Sequence, residues 1–452
     1  MRRMRRPPRL AAPALALVVA CVGVLAACTG ESGADAADTL TVSAGASIQD
    51  AVDRVAEGGT VEVEPGTYEE SVQVTTPGVT LRGTDRDGVV IDGGGLRPNG
   101  VVVTAPGVSV ENLTVRNHTL NGVLVTGLAD ETGGLARGSD GYTRLDPDAN
   151  PPLQGFAVRY VTASNNGLYG VYAFDAQDGV VEQSYASGHA DSGFYVGQCQ
   201  ECRIVVRDNV AEANAVGYEQ TNASAPVVVT GNRFAGNRVG AALMSDYQEA
   251  FVPQRGTTFA GNVVSGNANP DTPAQADGAF GLGVVVSGGQ DDVLARNRVG
   301  QNPLAGVLIG SVEDVAPDGN RVEGNVLDGN GVDLAYTASE RAPGAGLCAV
   351  GNELATTSPD GLLDGWSCDD GGSTRAAGVA LTGEAAPPGI SFRDVAPPPA
   401  QPSVPDAAGP AGPDAPVWSA PGWTDRQWQE VEALADAAEV PAADLLADRG
   451  RA

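Results

Sequence analysis

The sequence predicts an all-β protein, a right-handed parallel β-helix with an N-terminal capping helix and a short C-terminal helix after a Pro-rich linker. Three observations predict it. The chain is rich in turn formers and poor in rings, with 61 glycines, 30 prolines and 5% aromatic residues among 452. From Val110 onward, residues five positions apart recur as asparagine pairs about every 23 residues, with insertions. A few residues after each pair, a glycine opens a short apolar run. Units that small cannot bury an apolar face alone, so successive turns must stack.

The elements follow in order. Residues 1–27 read as a lipoprotein signal peptide, with a basic start (MRRMRRPPRL) and an apolar stretch ending in Leu25-Ala26-Ala27 before Cys28. Acyl chains on Cys28 would anchor the exported protein to the outer face of the bacterial membrane. Residues 28–38 are a polar tether, and the β-helix is expected over 39–384. Ile48, Ala51, Val52 and Val55 are spaced for one face of a helix over 47–56, which would cap the first rung and cover its open edge. Val61/Val63, Val72/Val74 and Val79/Leu81 mark alternating strands, with a turn at Pro65-Gly66.

The asparagine pairs are Asn112/Asn117, Asn209/Asn214, Asn232/Asn237, Asn262/Asn267, Asn297/Asn302 and Asn325/Asn330, with Tyr160/Asn165 and Ser184/His189 degenerate. Asparagine suits a corner because it bonds the bend and its copy one layer above, and tolerates left-handed φ. Gly122, Gly170, Gly193, Gly217, Gly240, Gly283, Gly306 and Gly331 would permit sharp re-entry into the next strand. Insertions at 128–153, 245–256 and 268–280 are expected on one face, shaping a groove. Residues 385–422 read as a stiff or disordered Pro/Ala-rich spacer. In 423–452, Thr424 would cap a helix with Trp428, Val431, Ala435 and Ala438 on one face.

Six cysteines are present. Cys21 leaves with the leader, and the four beyond Cys28 suit disulfides in an exported protein. Cys348 and Cys368 would close the C-terminal cap. Cys199-x-x-Cys202 stays open between a local disulfide, a redox motif and a metal site completed by His189 or Met244. Losing the leader removes five arginines and no acid, so the net charge of −29 becomes −34. Such a surface repels phosphate backbones, so no nucleic acid partner is expected. A monomer is expected.

The stretch IQDAVDRVAEGGTVEVEPGTYEE, followed by N-x4-N turns, resembles the pectin-lyase-like β-helix superfamily, in its short-repeat, NosD-like branch. The resemblance runs from Thr39 to Ser358 and implies the fold. It spans lyases, hydrolases, epimerases, adhesins and non-enzymes, and its NosD-like members are linked to copper-enzyme maturation. Copper(I) held by Cys199, Cys202 and His189 is therefore one alternative, and a surface spacer or adhesin another. Calcium is the other candidate cofactor, although Asp146-x-Asp148-x-Asn150 lacks the glycine and closing glutamate of a calcium loop. Arg116, Arg159, Arg203 and Arg207 are the candidate lyase bases, without that family's surrounding motif.

Side chains alternate along a strand, so alignment on the glycines sorts the faces. Val123, Val171, Phe194, Tyr218, Ala241, Val284 and Val307 should point inward. Leu124, Tyr172, Tyr195, Glu219, Ala242, Val285, Leu308 and Asp333 should point outward. Tyr172, Phe174, Tyr195 and Asn222 form a candidate polysaccharide-binding face, since flat rings beside polar groups suit a sugar. Acid–base catalysis there would draw on His189, Asp191, Asp175 or Glu219. Packing beneath an insertion loop is the alternative for the stripe, and a place in the asparagine ladder the alternative for His189.

Overall fold

The computed structural model describes residues 37–128, 151–275, 278–369, 371–383, 385–404 and 417–451. The leader, Cys28, most of the tether, and the 146–150 stretch with most of its insertion lie outside them. Within them each turn of chain contributes a strand to three sheets. One turn runs Ala176–Glu182 in a first sheet, Tyr185–Ser187 in a second and Ser192–Cys199 in a third, then Ile204–Arg207 returns to the first. Each strand pairs in parallel with its counterpart one turn on, as Val181 does with Val206, Ala186 with Ala211 and Tyr195 with Glu219. The second sheet alone stacks ten strands.

The core is the inside of this coil. Val123, Val171, Phe194, Tyr218, Ala241, Val284 and Val307 all lie in it, as alternation requires. The cap is shorter than expected. Helix α1 spans Ile48–Val52, capped by Ser47, and buries Ile48, Ala51 and Val52. Val55 instead opens the strand Val55–Val63, where β-branched residues pair with the first strand, Ala37–Val42.

Two columns of asparagine run along the corners flanking the second sheet. In each, a side-chain amide donates to the next carbonyl oxygen, as from Asn209 to Asn232 and from Asn214 to Asn237, both at 3.0 Å. The same oxygens accept the backbone N–H of the residue one rung before. The early turns correct the sequence pairing. Asn112, Asn117, Tyr160 and Asn165 sit one residue before the corner, at φ of 50° to 58°. The ladder itself holds His118, Asn166 and His189 there, since Asn166 and Asn214 accept from His118 and His189 N–H. Left-handed φ therefore belongs to the residue ahead of the ladder.

The recurrent glycines are needed for space. A Cβ on Gly170 would lie 2.4 Å from Gly193 O, and one on Gly217 2.5 Å from Gly240 O. The alignment slips at the last of them. Leu308 pairs with Ala335, and Asp333 accepts from Asn330, Thr356 and Ala355 instead of pointing outward.

The expected spacer is part of the body. Its described residues run back along the coil, with Ile390 N–H on Thr272 O, Asn165 amide on Val395 O, and Val404 N–H on Asn112 Oδ1. Helix α2, Asp425–Asp436, starts at Thr424 with a reciprocal capping box to Gln427. It buries Trp428, Val431 and Ala435 against Ala157, Val180, Val205 and Val228 of the first sheet, joined by Trp418 and Trp423. Two buried guanidiniums, Arg86 and Arg449, then converge on the carbonyl of Gln183, and Arg86 also donates to Pro402 O of this arm.

Candidate functional site

The outward stripe of the third sheet is in the predicted register, with Leu124, Tyr172, Tyr195, Glu219, Ala242, Val285 and Leu308 on successive rungs. It is not an open platform. Tyr172, Phe174 and Tyr195 are buried. Tyr169 stacks on Tyr172 at 4.2 Å between ring centroids, and Tyr195 meets Tyr172 edge-on at 4.7 Å. Insertion loops supply the cover. Tyr195 donates its hydroxyl to Glu249 Oε1 at 2.5 Å, and Ala250 N–H reaches Gln198 Oε1. Asn222, expected to bind ligand, is spent on this loop: it donates to Asp246 O and Glu249 O and accepts from Asp246 N–H.

Next to the tyrosines two carboxyl groups meet. Ser192 Oγ donates to Glu219 Oε2 at 2.5 Å and lies 3.3 Å from Asp191 Oδ1. The Gln275 amide spans the same two oxygens, donating to Asp191 Oδ1 and lying 3.4 Å from Glu219 Oε2. Two carboxylates this close cannot both ionise cheaply. Burial pushes Glu219 well above the ordinary carboxylate range, and the neighbouring Asp191 adds to it. Burial raises Asp191 as well. Burial also lifts Glu249 to about 8 and Asp175 to about 7. Asp175 Oδ2 has no hydrogen-bond partner among the described residues. It lies at the next corner, one residue beyond Phe174.

The structure thus gathers Asp191, Glu219, Tyr172 and Tyr195, adds Ser192, Glu249, Gln275 and Tyr169, and places Asp175 at the edge. His189 does not belong with them. Its ring is fully buried at the ladder corner, with Nε2 3.3 Å from Ala163 O, and burial lowers it to about 4. A neutral ring sealed inside the coil cannot reach a sugar on the outer face. The copper set fails likewise. Cys199 and Cys202 are bonded to each other, as are Cys348 and Cys368. Met244 packs in the apolar patch beside Ala242. No group of three metal-ligating side chains occurs among the described residues. Arg116, Arg159, Arg203 and Arg207 pair with Asp92, Glu182 and Asp178 on the other two sheets.

A family model described as "Right handed beta helix region" matches residues 68–253. The chain is a right-handed parallel β-helix. No curated protein matches it. Among solved structures, this β-helix is similar to the A-module of Azotobacter vinelandii mannuronan C-5 epimerase AlgE4, at 17% identity and a TM-score of 0.44, over 69% of this chain and 91% of that one. It is also similar to pectate lyase Pel9A, at 12% identity and 0.35, over 70% and 73%. A third is the catalytic unit of a GH87 α-1,3-glucanase from Streptomyces thermodiastaticus, at 16% and 0.36, over 69% and 62%.

Proposed function

We propose that this β-helix is an exported protein that binds polysaccharide along its third sheet and performs acid–base chemistry on it with Asp191 and Glu219. One observation carries the reading: a buried carboxyl pair, in register with a tyrosine stripe, whose outer hydrogen-bond positions are filled by replaceable side chains. Gln275 lays an amide across both carboxyl groups, and Glu249 takes the Tyr195 hydroxyl. Sugar hydroxyls offer the same donors and acceptors. A solenoid repeats each side-chain position from rung to rung, which suits an extended polymer. Glu219, held well above the ordinary carboxylate range by burial and by Asp191 beside it, is the acid, and Asp191 the group that receives a proton. Cys28 supplies the membrane anchor, which mass spectrometry of the mature N-terminus would reveal as an acylated cysteine.

The test uses a panel of polysaccharides with the full chain, reading binding by calorimetry and products by chromatography. Wild type should bind at least one polymer and alter it. Gln275→Ala should bind more tightly, because a competitor for the pair is gone. Glu219→Gln should bind without turnover. Failure of both wild type and Gln275→Ala to bind any member of the panel would overturn the reading, as would full turnover by Glu219→Gln.

A further inference from the structure

We propose that an open cleft beside the 246–255 loop is a second carbohydrate site, taking a sugar that bears a carboxylate or sulfate. The cleft has a volume of about 750 Å³ and lies between that loop and residues 314–318. Neither Asp191 nor Glu219 lines it, so the proposal stands apart from the chemistry assigned to that pair. The loop has two sides. Glu249 reaches Tyr195 over the third sheet, whereas Tyr247 and Arg255 face the cleft.

Three features make this a site for an anionic sugar. Tyr247 is 45% exposed, yet its hydroxyl donates to Asp314 Oδ1 at 2.9 Å, so the ring is held in place with a face left to solvent. A fixed, exposed ring is a stacking surface with little entropy left to lose. Gln290 donates its amide to Ala316 O, which leaves its side-chain oxygen to accept a hydroxyl.

The charges decide the ligand's sign. Arg375 is balanced by Asp318 at 3.2 Å, and Asp314, which accepts from Tyr247, is paired with Arg341 at 4.0 Å. Arg255 is exposed and has no side-chain partner among the described residues. In a chain of net charge −29, an unpaired guanidinium in a cleft is a local anion site. The surrounding negative charge opposes a long polyanion, so a single acidic unit or a short oligomer fits best.

Calorimetry on the full folded chain tests this with three probes: trigalacturonate, a sulfated galactotriose and neutral galactotriose. At least one anionic probe should bind roughly tenfold or more tightly than the neutral one. Arg255→Ala should reduce it to the neutral level, and Tyr247→Ala should weaken all three. Arg426→Ala, which removes an equal charge from α2, should change nothing. The anionic probe that binds identifies the group recognised. Absence of binding by both anionic probes at millimolar concentration would overturn the proposal. So would equal affinity for the neutral probe, or unchanged affinity in Arg255→Ala. Loss of binding in Glu219→Gln but not in Arg255→Ala would place the ligand on the carboxyl pair instead.

Discussion

On the first sheet, Ala157, Val180, Val205 and Val228 lie beneath Trp418, Trp423, Trp428 and one side of α2. On the third sheet, Tyr172, Tyr195 and Glu219 lie beneath Tyr169 and two insertion loops. Both stripes are buried, but the covers differ in kind. The first is mainly apolar on apolar, stabilised by area removed from water, with charge confined to Arg159 over the Trp418 ring and the Arg203–Asp178 pair beside Trp428. The second is held by hydrogen bonds to carboxyl groups whose protons are displaced from their ordinary range. An apolar cover closes a surface permanently. A polar cover hydrogen-bonded to such carboxyl groups can be exchanged for a ligand that makes the same bonds.

The largest expected effect lies on the first sheet. Trp428→Ala should cost about 3–5 kcal/mol of stability, because it opens a cavity under the arm. Chemical denaturation would read it, and a loss below about 1 kcal/mol would show the arm to be loosely applied. On the third sheet, Tyr195→Phe should cost about 1–3 kcal/mol, since Glu249 keeps its burial and loses its donor. The loss should be smaller near pH 3, where Glu249 is protonated whether folded or not.

The pH dependence reads the buried titratable groups directly. A carboxyl raised in the folded state gives stability that is complete below its unfolded value and lost as pH rises through its folded one. Glu249 rises from 4.5 to about 8, and Asp175 and Asp292 from 3.8 to about 7, in each case through burial. Stability should therefore fall as pH climbs from about 4 to 8, and Glu249→Gln should flatten that limb. Denaturation midpoints across this range would show it. Buried His118 and His189 act oppositely, being lowered from 6.5 to about 4. Their contribution is complete above 6.5 and lost as pH falls through 4. The smallest effect is His189→Asn, expected within about 1 kcal/mol of wild type at neutral pH because asparagine is the ladder's own residue. Midpoints at pH 4 should show that it also removes part of the acid limb.

The regular parts were legible in the sequence for a physical reason. The coil repeats one environment, so its inward column of Val171, Phe194 and Tyr218 and its outward column of Tyr172, Tyr195 and Glu219 could be read by alternation. The His189 corner and the Cys199–Cys202 bond were among the readings left open, whereas Cys348 and Cys368 were legible as a pair closing the C-terminal cap. Pairing by letter misplaced Asn112 and Asn117, because asparagine suits both the left-handed position and the ladder beside it. The cover was illegible. Glu249 and Gln275 come from insertions with no period, and nothing in their spacing shows that they return to Tyr195 and Asp191. The arm over 385–404 was misread because prolines that stiffen a free spacer serve equally in an extended strap.

The most direct test of the account is a carbon-13 titration of the Asp191 and Glu219 side-chain carboxyl groups in the folded protein, repeated in Asp191→Asn. Glu219 should titrate well above the ordinary carboxylate range. It should move downward when Asp191 can no longer carry charge. Two independent titrations near 4, unchanged by the substitution, would contradict it.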